Sequence, residues 1–241
     1  EELLAYIKAN REHETWRAYS LALRRFREYM GDLDIGVITQ QHLHKFHSAL
    51  LDEGLKKTSV NIYLRHLKAA FQKAVEWEYI NRNPYIGVKQ FRLEKRLPRF
   101  LSQEEIITLL NSIEDREFRI MIEMYLYTGL RRSELLHLCW RDIDVTHGFI
   151  YIHKTKTHLE RAIPLTEILT GLIESLRNIS GKREYLFRWR HERTISKLFE
   201  EAVKTSGIKK IRLHDLRHTF ASHLVMSGEN LKTVQELLGH Q

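Results

Sequence analysis

The sequence has few of the residues that build cross-linked, metal-clustered or membrane-embedded proteins. Of its 241 residues, one is cysteine and three are proline. The single cysteine, Cys139, excludes a disulfide within the chain and a cysteine-based metal site. It is compatible with a reducing cytoplasm, where we expect the protein to act. The apolar stretch from Ile120 to Leu126 is interrupted by Glu123 and is far shorter than a membrane span, so we expect no membrane partner.

Acidic residues are outnumbered by basic ones. Lys and Arg total 39 and Asp and Glu total 31, which gives a net charge of +8 and a pI of about 9.5. The basic surplus is spread over both halves of the chain. A surplus of this kind favours a polyanion that runs along both halves, and duplex DNA is the first candidate. Many proteins that bind no nucleic acid are also mildly basic, so charge alone leaves both alternatives open.

Residues 1–85 predict an all-α domain. Apolar residues recur there at helical spacing, and no convincing strand is present. Helices are expected at 1–10, 15–29, 39–51 and 58–79. In the fourth helix, Ile62, Leu67 and Phe71 are expected in the core, whereas His47 and its histidine neighbours in the third are expected on an exposed or DNA-proximal face.

Residues 86–99 predict a basic interdomain linker that joins two DNA-gripping domains. A solvated charge run between domains is the alternative. Residues 100–241 predict a second domain that is mostly helical with a small antiparallel sheet. Its helices are expected near 102–113, 116–127, 131–138, 166–177, 192–205, 214–226 and 231–238, with strands near 148–164 and at 185–187.

A histidine and an arginine stand three residues apart in the helical letters HDLRH, at His214 and Arg217. Residues with this spacing share one face of a helix. A guanidinium fork and an imidazole together suit a phosphate group. His214 and His218 also invite a zinc interpretation, but Asp215 stands where the metalloprotease pattern needs Glu, and no convincing third ligand follows. We therefore expect no metal site, and we expect His218 to pack beneath the site.

Three further motifs accompany HDLRH. They are TGLRRSE at 128–134, KTK at 154–156 between the two predicted strands, and the terminal LGH at 238–240. In this order and spacing, the four motifs resemble the tyrosine recombinase family, which includes phage integrases, transposon integrases and Xer-type recombinases. The resemblance covers about the whole chain. It implies a SAM-like core-binding domain over residues 1–85 and a catalytic domain over residues 100–241, which close as a clamp around DNA.

The resemblance implies a role for each motif residue in strand cleavage. Arg131 and Arg217 match the arginines that hold the non-bridging oxygens of the scissile phosphate, where fixed positive donors stabilise the transition state. His214 and His240 match the histidines that bind the phosphate or handle the proton of the nucleophile. Lys156 matches the lysine that protonates the departing 5′ oxygen.

Several of these assignments have alternatives. Lys154 lies in the same turn as Lys156, but the family spacing from lysine to Pro164 selects Lys156. Glu134 matches the supporting acid that orients the site, and its alternative is a helix-start charge stabilised by the helix dipole. Arg132 is expected to contact the DNA backbone or solvent. Contacts with the DNA backbone are expected from Arg132, Lys154, Arg24, Lys89 and Arg92.

The tyrosine nucleophile of the family has no counterpart among residues 1–241. The upstream tyrosines nearest to a motif, Tyr125 and Tyr127, lie on an apolar run and are expected in the core. The resemblance therefore places the nucleophile beyond Gln241, and the chain as given is expected to bind DNA without cleaving it.

We expect a site-specific DNA recombinase that works through a 3′-phosphotyrosyl intermediate without cofactor, metal or ATP. Its expected partners are duplex DNA with specific recombination sites, further copies of itself in dimers and tetramers, and accessory proteins. A type IB topoisomerase and a catalytically silent DNA-binding protein of the same fold are the alternatives. A metal-dependent transposase is less favoured.

Overall fold

The computed structural model describes residues 1–94, 98–153 and 160–239. The chain divides into two compact units, Glu1–Arg96 and Leu97–Gln241. Helices dominate both units, and a three-stranded antiparallel sheet lies in the second. The expected fold class, mainly α with a small antiparallel sheet, is confirmed. Within the described ranges, no helix is long and apolar enough to cross a membrane.

Over residues 1–94, the first unit contains four helices and a short 3-10 turn. The helices are α1 (Glu2–Asn10), α2 (His13–Met30), α3 (Gln40–Asp52) and α4 (Lys57–Glu76), and the 3-10 turn spans Ile35–Val37. The Thr39 side chain caps α3 by accepting a hydrogen bond from the backbone N–H of His42. Apolar faces of α2, α3 and α4 meet in one core, which includes Phe26, Leu43, Phe46, Leu50, Leu64, Leu67 and Phe71.

Two expectations about this core are wrong. Ile62 is 47% exposed, because it lies two residues from both Val60 and Leu64, which are buried. Two residues correspond to about 200° around a helix, so Ile62 points away from the buried face. His47 is buried beside Tyr85, and this burial, together with neighbouring His44, lowers its pKa to about 4.

The segment after α4 is held on the first unit. The Asn61 side chain accepts a hydrogen bond from the backbone N–H of Phe91 at 2.8 Å and donates one to its carbonyl at 2.9 Å. Tyr85 and Val88 are buried in the core of the same unit. Residues 85–91 therefore belong to the packing of the first unit.

The second unit builds seven helices and three strands within its described residues. The helices are α5 (Gln103–Asn111), α6 (Arg116–Thr128), α7 (Arg132–His137), α8 (Glu167–Ser180), α9 (Glu192–Ser206), α10 (Asp215–Met226) and α11 (Leu231–Leu238). The strands are β1 (Ile143–Asp144), β2 (Phe149–Ile152) and β3 (Arg161–Pro164), paired antiparallel in the order β1-β2-β3. No strand forms over 185–187, where Tyr185 makes a single bridge to Cys139.

Gly129 brings three helices close together at one end of α6. It ends α6 in the left-handed conformation with φ of 59°, which glycine adopts without steric cost. A Cβ at this position would lie 2.3 Å from Phe220 of α10 and 3.0 Å from Leu238 of α11. The glycine therefore lets the ends of α6 and α11 approach α10, and the polar cluster described next forms at this meeting point.

Candidate active site

Glu134 is a buried carboxylate near the start of α7. Its side chain is 1% exposed. One oxygen accepts the backbone N–H of Arg131 at 2.8 Å, and the other accepts the Arg131 guanidinium at 2.8 Å. The first contact is the helix-start role considered as the alternative for Glu134, and the second is the supporting role that the family resemblance implies. The same side chain makes both.

Arg161 of β3 is the second guanidinium on this carboxylate. It donates to the two oxygens of Glu134 at 3.1 and 2.7 Å, and its own side chain is 9% exposed. Burial opposes the charge of Glu134, but the hydrogen bonds from Arg161 and Arg131 outweigh burial and hold the pKa of Glu134 at about 2. The carboxylate is therefore ionised at neutral pH.

Three arginines donate hydrogen bonds to three successive carbonyl groups at the C-terminal end of α11. Arg161 Nε donates to Leu237 O at 2.9 Å, Arg217 donates to Leu238 O, and Arg131 donates to Gly239 O at 3.0 Å. The last carbonyls of a helix have no partner within the helix and form the negative end of its dipole. The end of α11 thus holds all three guanidinium groups in fixed positions.

Arg217 lies deepest in the cluster. It is 4% exposed and also donates to Gly129 O, the last carbonyl of the α6 end, at 2.6 Å. Burial and the charge of Arg131 lower the pKa of Arg217 to about 10, which leaves it charged at neutral pH. Among the described residues, three arginines around one glutamate leave a surplus of two positive charges. Such a site is suited to binding an anion.

His214 stands at the edge of this cluster. The turn before α10 is fixed by Asp215, which accepts from the backbone N–H of Arg212 at 2.9 Å and from its guanidinium at 3.1 and 3.2 Å. His214 lies within that turn and is exposed. The pKa of His214 is lowered, first by the part of the imidazole ring that is buried and then by His218 and the charge of Arg217. The neutral form of His214 is therefore favoured.

His218 lies one turn after His214 and is half-buried, with the two rings edge to face at 5.3 Å. In the ranges 1–94, 98–153 and 160–239, no three histidine, cysteine or carboxylate side chains are placed to hold a metal ion.

Arg132 points away from the cluster. It pairs with Glu192 of α9 and donates to Ser196 Oγ at 2.8 Å. Its neighbour in sequence, Arg131, is thus the one directed to Glu134. The backbone separates the two side chains, because Arg131 is the extended N-cap residue of α7, with ψ of 149°, and Arg132 is its first helical residue.

The two tyrosines of the apolar run differ. Tyr125 is buried as expected, no described residue hydrogen-bonds its hydroxyl, and burial raises its pKa. Tyr127 is 42% exposed, so its expected place in the core is wrong. It lies two residues from Tyr125 on α6 and therefore faces the opposite side.

The other predicted residues form two groups: three lie outside the described residues, and three are exposed on the first unit. Lys154, Lys156 and His240 lie outside the described residues. Arg24 on α2 is exposed and stands 3.9 Å from Glu28, and Lys89 and Arg92 are exposed on the segment that Asn61 holds.

Arg161 was not predicted as a site residue, although the sequence contains a signal for it. Strand residues two apart share a face, and Ile163 is a core residue that is 2% exposed. An arginine in phase with a core position needs a buried partner. That partner is Glu134.

Comparison with known proteins identifies the family of the chain. The description "Phage integrase family" matches residues 99–241, and "Phage integrase SAM-like domain" matches residues 1–108. The chain belongs to the phage integrase family. Among curated relatives of this integrase-family chain, a tyrosine recombinase of Thermosipho africanus is 30% identical over 252 residues, covering 99% of this chain and 88% of the relative. Tyrosine recombinase XerD of Staphylococcus aureus is 30% identical over 263 residues, covering 100% and 89%. The expected family, and with it the class of enzyme, is confirmed.

Solved structures of integrases share the fold. A λ integrase dimer bound to a core site has a TM-score of 0.84 and 22% identity, and the match covers 98% of this chain and 91% of that chain. The Tn1549 transposon integrase in complex with circular intermediate DNA has a TM-score of 0.81 and 23% identity, covering 100% and 91%. At this level of identity, the likeness shows the fold.

Proposed function

We propose that this chain is the DNA-binding and phosphate-binding part of a site-specific tyrosine recombinase. The enzyme cuts one DNA strand, forms a 3′-phosphotyrosyl link, releases a 5′-hydroxyl and lets a partner strand attack the link. The observation that carries the proposal is the charge surplus at Glu134, where Arg131, Arg161 and Arg217 converge with His214 at the edge. A pentacoordinate phosphoryl transition state gains negative charge, which fixed guanidinium groups stabilise.

Each group has one task in this proposal. Arg131, whose side chain is 23% exposed, contacts a non-bridging oxygen from the accessible side, and Arg217 supports the phosphate from beneath. Neutral His214 accepts or shares the proton of the nucleophile. The proton for the leaving 5′ oxygen comes from Lys156, with Lys154 as the alternative. His240 contributes a further hydrogen bond to the phosphate.

The proposed nucleophile is a tyrosine beyond Gln241. Tyr125 lies within reach of the charges of Arg217 and Glu134, and burial raises the pKa of its hydroxyl. A hydroxyl with a raised pKa and no adjacent base is a poor nucleophile. The covalent link conserves the energy of the phosphodiester bond, so neither ATP nor a metal ion is needed for rejoining in this mechanism.

The proposed partner is duplex DNA gripped by both units. Arg24, Lys89, Arg92 and Arg132 are the proposed backbone contacts, and Arg132 would exchange its pairing with Glu192 for a phosphate. λ integrase has been solved as a dimer on a core site and as a tetramer on a Holliday junction. We extend dimers and tetramers on DNA to this chain by analogy within the family.

A trapping experiment tests the function. The full-length protein is incubated with a nicked suicide substrate in EDTA, and the products are separated on a denaturing gel. We expect a covalent protein–DNA adduct whose DNA-linked peptide contains a tyrosine from beyond Gln241. An adduct on a tyrosine within residues 1–241 would overturn the assignment of the nucleophile, and no adduct would favour the silent DNA-binding alternative. Relaxation of a plasmid without recombination sites would favour the topoisomerase alternative.

A further inference from the structure

Arg161 is placed where a strand, a helix start and a helix end meet. From β3 it contacts Glu134 near the start of α7 with two nitrogens, and it contacts Leu237 O at the end of α11 with its third. The Arg161 side chain also packs against the backbone of Gly239, which follows α11. A Cβ added at Gly239 would lie only 3.1 to 3.3 Å from atoms of Arg161. All three guanidinium nitrogens are thus engaged by protein.

These contacts leave Arg161 a different task from Arg131 and Arg217. Its side chain is 9% exposed, against 23% for Arg131. It contacts the groups that hold the other two arginines: Glu134 binds Arg131, and the α11 end binds both Arg131 and Arg217. A residue so placed acts on a substrate through its neighbours.

We propose that Arg161 is a positioning residue of the strand-cleavage site, holding Glu134 and the last turn of α11 so that Arg131 and Arg217 keep one arrangement toward the scissile phosphate. This rests on the proposed function. An arginine is needed because its planar fork matches both carboxylate oxygens while Nε is directed at a carbonyl. A lysine at this position would supply the charge without the fork.

Loss of Arg161 also changes the charge state of Glu134. Of the charged groups in the described ranges, Arg131, Arg161 and Arg217 face this carboxylate, with the Tyr125 hydroxyl nearby. Burial raises a carboxyl pKa, and the arginine donors oppose it. Without Arg161, Glu134 takes up a proton at a higher pH than before, and its hold on Arg131 weakens as it does so.

The experiment uses the full-length enzyme and single-turnover cleavage of a suicide substrate at saturating DNA. The variants are Arg161→Met and Arg161→Lys. The matched control is Arg183→Met, because Arg183 donates in the same two-pronged way, at 2.9 and 3.2 Å, to the buried carboxylate of Glu117. We expect Arg161→Met to cleave about 100-fold more slowly, the scale that misplacement by an ångström produces. DNA affinity should be unchanged, since it comes from many backbone contacts.

A pH series separates positioning from a general loss of structure. The rate of Arg161→Met relative to wild type should fall further as the pH is lowered from about 8 to about 6, a range into which burial can move a carboxyl pKa. The relative rate of Arg183→Met should stay flat. A flat ratio for Arg161→Met would overturn the proposal.

A double variant tests whether Arg161 acts through Glu134. Residues that work as a unit give non-additive losses, so Arg161→Met with Glu134→Gln should be no slower than the slower single variant. Multiplied losses would contradict the proposal. If Arg161→Met fails to fold, Arg161→Lys decides, because a full wild-type rate would show that the fork is dispensable. A wild-type enzyme that forms no adduct would instead refute the proposed function, and the two failures are therefore distinct.

Discussion

Two buried glutamates in the second unit are held by arginines, but their surroundings differ in charge. Glu117 of α6 accepts from Arg183 at 2.9 and 3.2 Å and from the backbone N–H of Arg188 at 2.7 Å. Arg188 also pairs with Asp115, so two arginines face two carboxylates. At Glu134, within the part of the chain that the structure describes, three arginines face one carboxylate, and carbonyl groups at helix ends bind the additional guanidinium groups.

The difference separates an ion-pair network that serves the fold from one that can serve chemistry. The balanced network at Glu117 satisfies its own charges and has no electrostatic need for a ligand. The network at Glu134 uses uncharged carbonyl dipoles to anchor guanidinium groups, so positive charge remains for an incoming phosphate. Charge balance, more than burial, distinguishes the two, because Glu117 and Glu134 are 3% and 5% exposed.

The largest effect is expected when one arginine of a network is replaced by alanine, and the two networks should respond differently. Arg217→Ala in the full-length enzyme should slow strand cleavage about 1,000-fold, the cost of losing one fixed donor to a developing charge. DNA binding should remain, because it is shared among many backbone contacts. The same change at Arg188 should leave cleavage near wild type. Single-turnover gels and a binding titration measure both, and equal losses of binding and cleavage by Arg217→Ala would remove the distinction.

Lys156 belongs to neither network and is the proposed general acid. Lys156→Ala should slow cleavage about 100-fold, as expected for loss of a general acid. A substrate with sulfur in place of the bridging 5′ oxygen should restore the rate, since a thiolate leaves without a proton. Arg217→Ala should gain no such rescue. Rescue of Lys154→Ala in place of Lys156→Ala would show that the other lysine is the acid.

A substitution in the balanced network at Glu117 should lower stability and leave cleavage almost unchanged. Arg183→Met should lower the free energy of unfolding by about 2 kcal/mol, less than the about 3–5 kcal/mol of a fully buried pair because Arg183 is partly exposed. Cleavage by the folded protein should stay within about twofold of wild type, as for a substitution remote from the chemistry. Chemical denaturation and single-turnover cleavage test this, and a large loss of cleavage with unchanged stability would contradict it.

The last comparison concerns stability alone, at the glycine that brings the helix ends together. Gly129 and Gly207 both end helices at positive φ, 59° and 69°. Gly207→Ala should cost about 1 kcal/mol, the strain of a left-handed alanine. Gly129→Ala should cost about 2 kcal/mol more, because its Cβ would meet Phe220 and overpack the core. Equal melting temperatures for the two variants would show that the close approach at Gly129 is not needed.

The helices of this fold could be predicted from the sequence to within a few residues, because apolar spacing and helix caps act locally. Thr39 caps α3 in this way, and Ser102 caps α5 by accepting the backbone N–H of Glu105. Faces were harder to predict within a helix. Ile62 and Tyr127 are largely apolar residues on the exposed faces of their helices, and His47 is a polar residue on a buried face. Composition predicts such residues poorly, because neighbouring elements decide which face is covered.

The site divides in the same way. The family resemblance implies that Arg131, His214 and Arg217 serve one site. The structure brings Arg131 and Arg217 together at the end of α11, and His214 lies where the charge of Arg217 lowers its pKa. Sequence reasoning missed Arg161, because its partners Glu134 and Leu237 are 27 and 76 residues away. Contacts of that separation depend on how β3 packs against α11 and leave only the strand-phase signal in the sequence.

The most direct measurement uses a substrate in which a methyl group replaces one non-bridging oxygen of the scissile phosphate. The change removes the negative charge that the arginine surplus is proposed to neutralise. We predict that full-length Arg217→Ala, nearly inactive on phosphate, cleaves this methylphosphonate substrate at a rate close to that of the wild-type enzyme on the same substrate. Arg188→Ala should show no preference between the two substrates beyond that of wild type. If Arg217→Ala stays as inactive on methylphosphonate as on phosphate, the surplus at Glu134 does not serve the scissile phosphate.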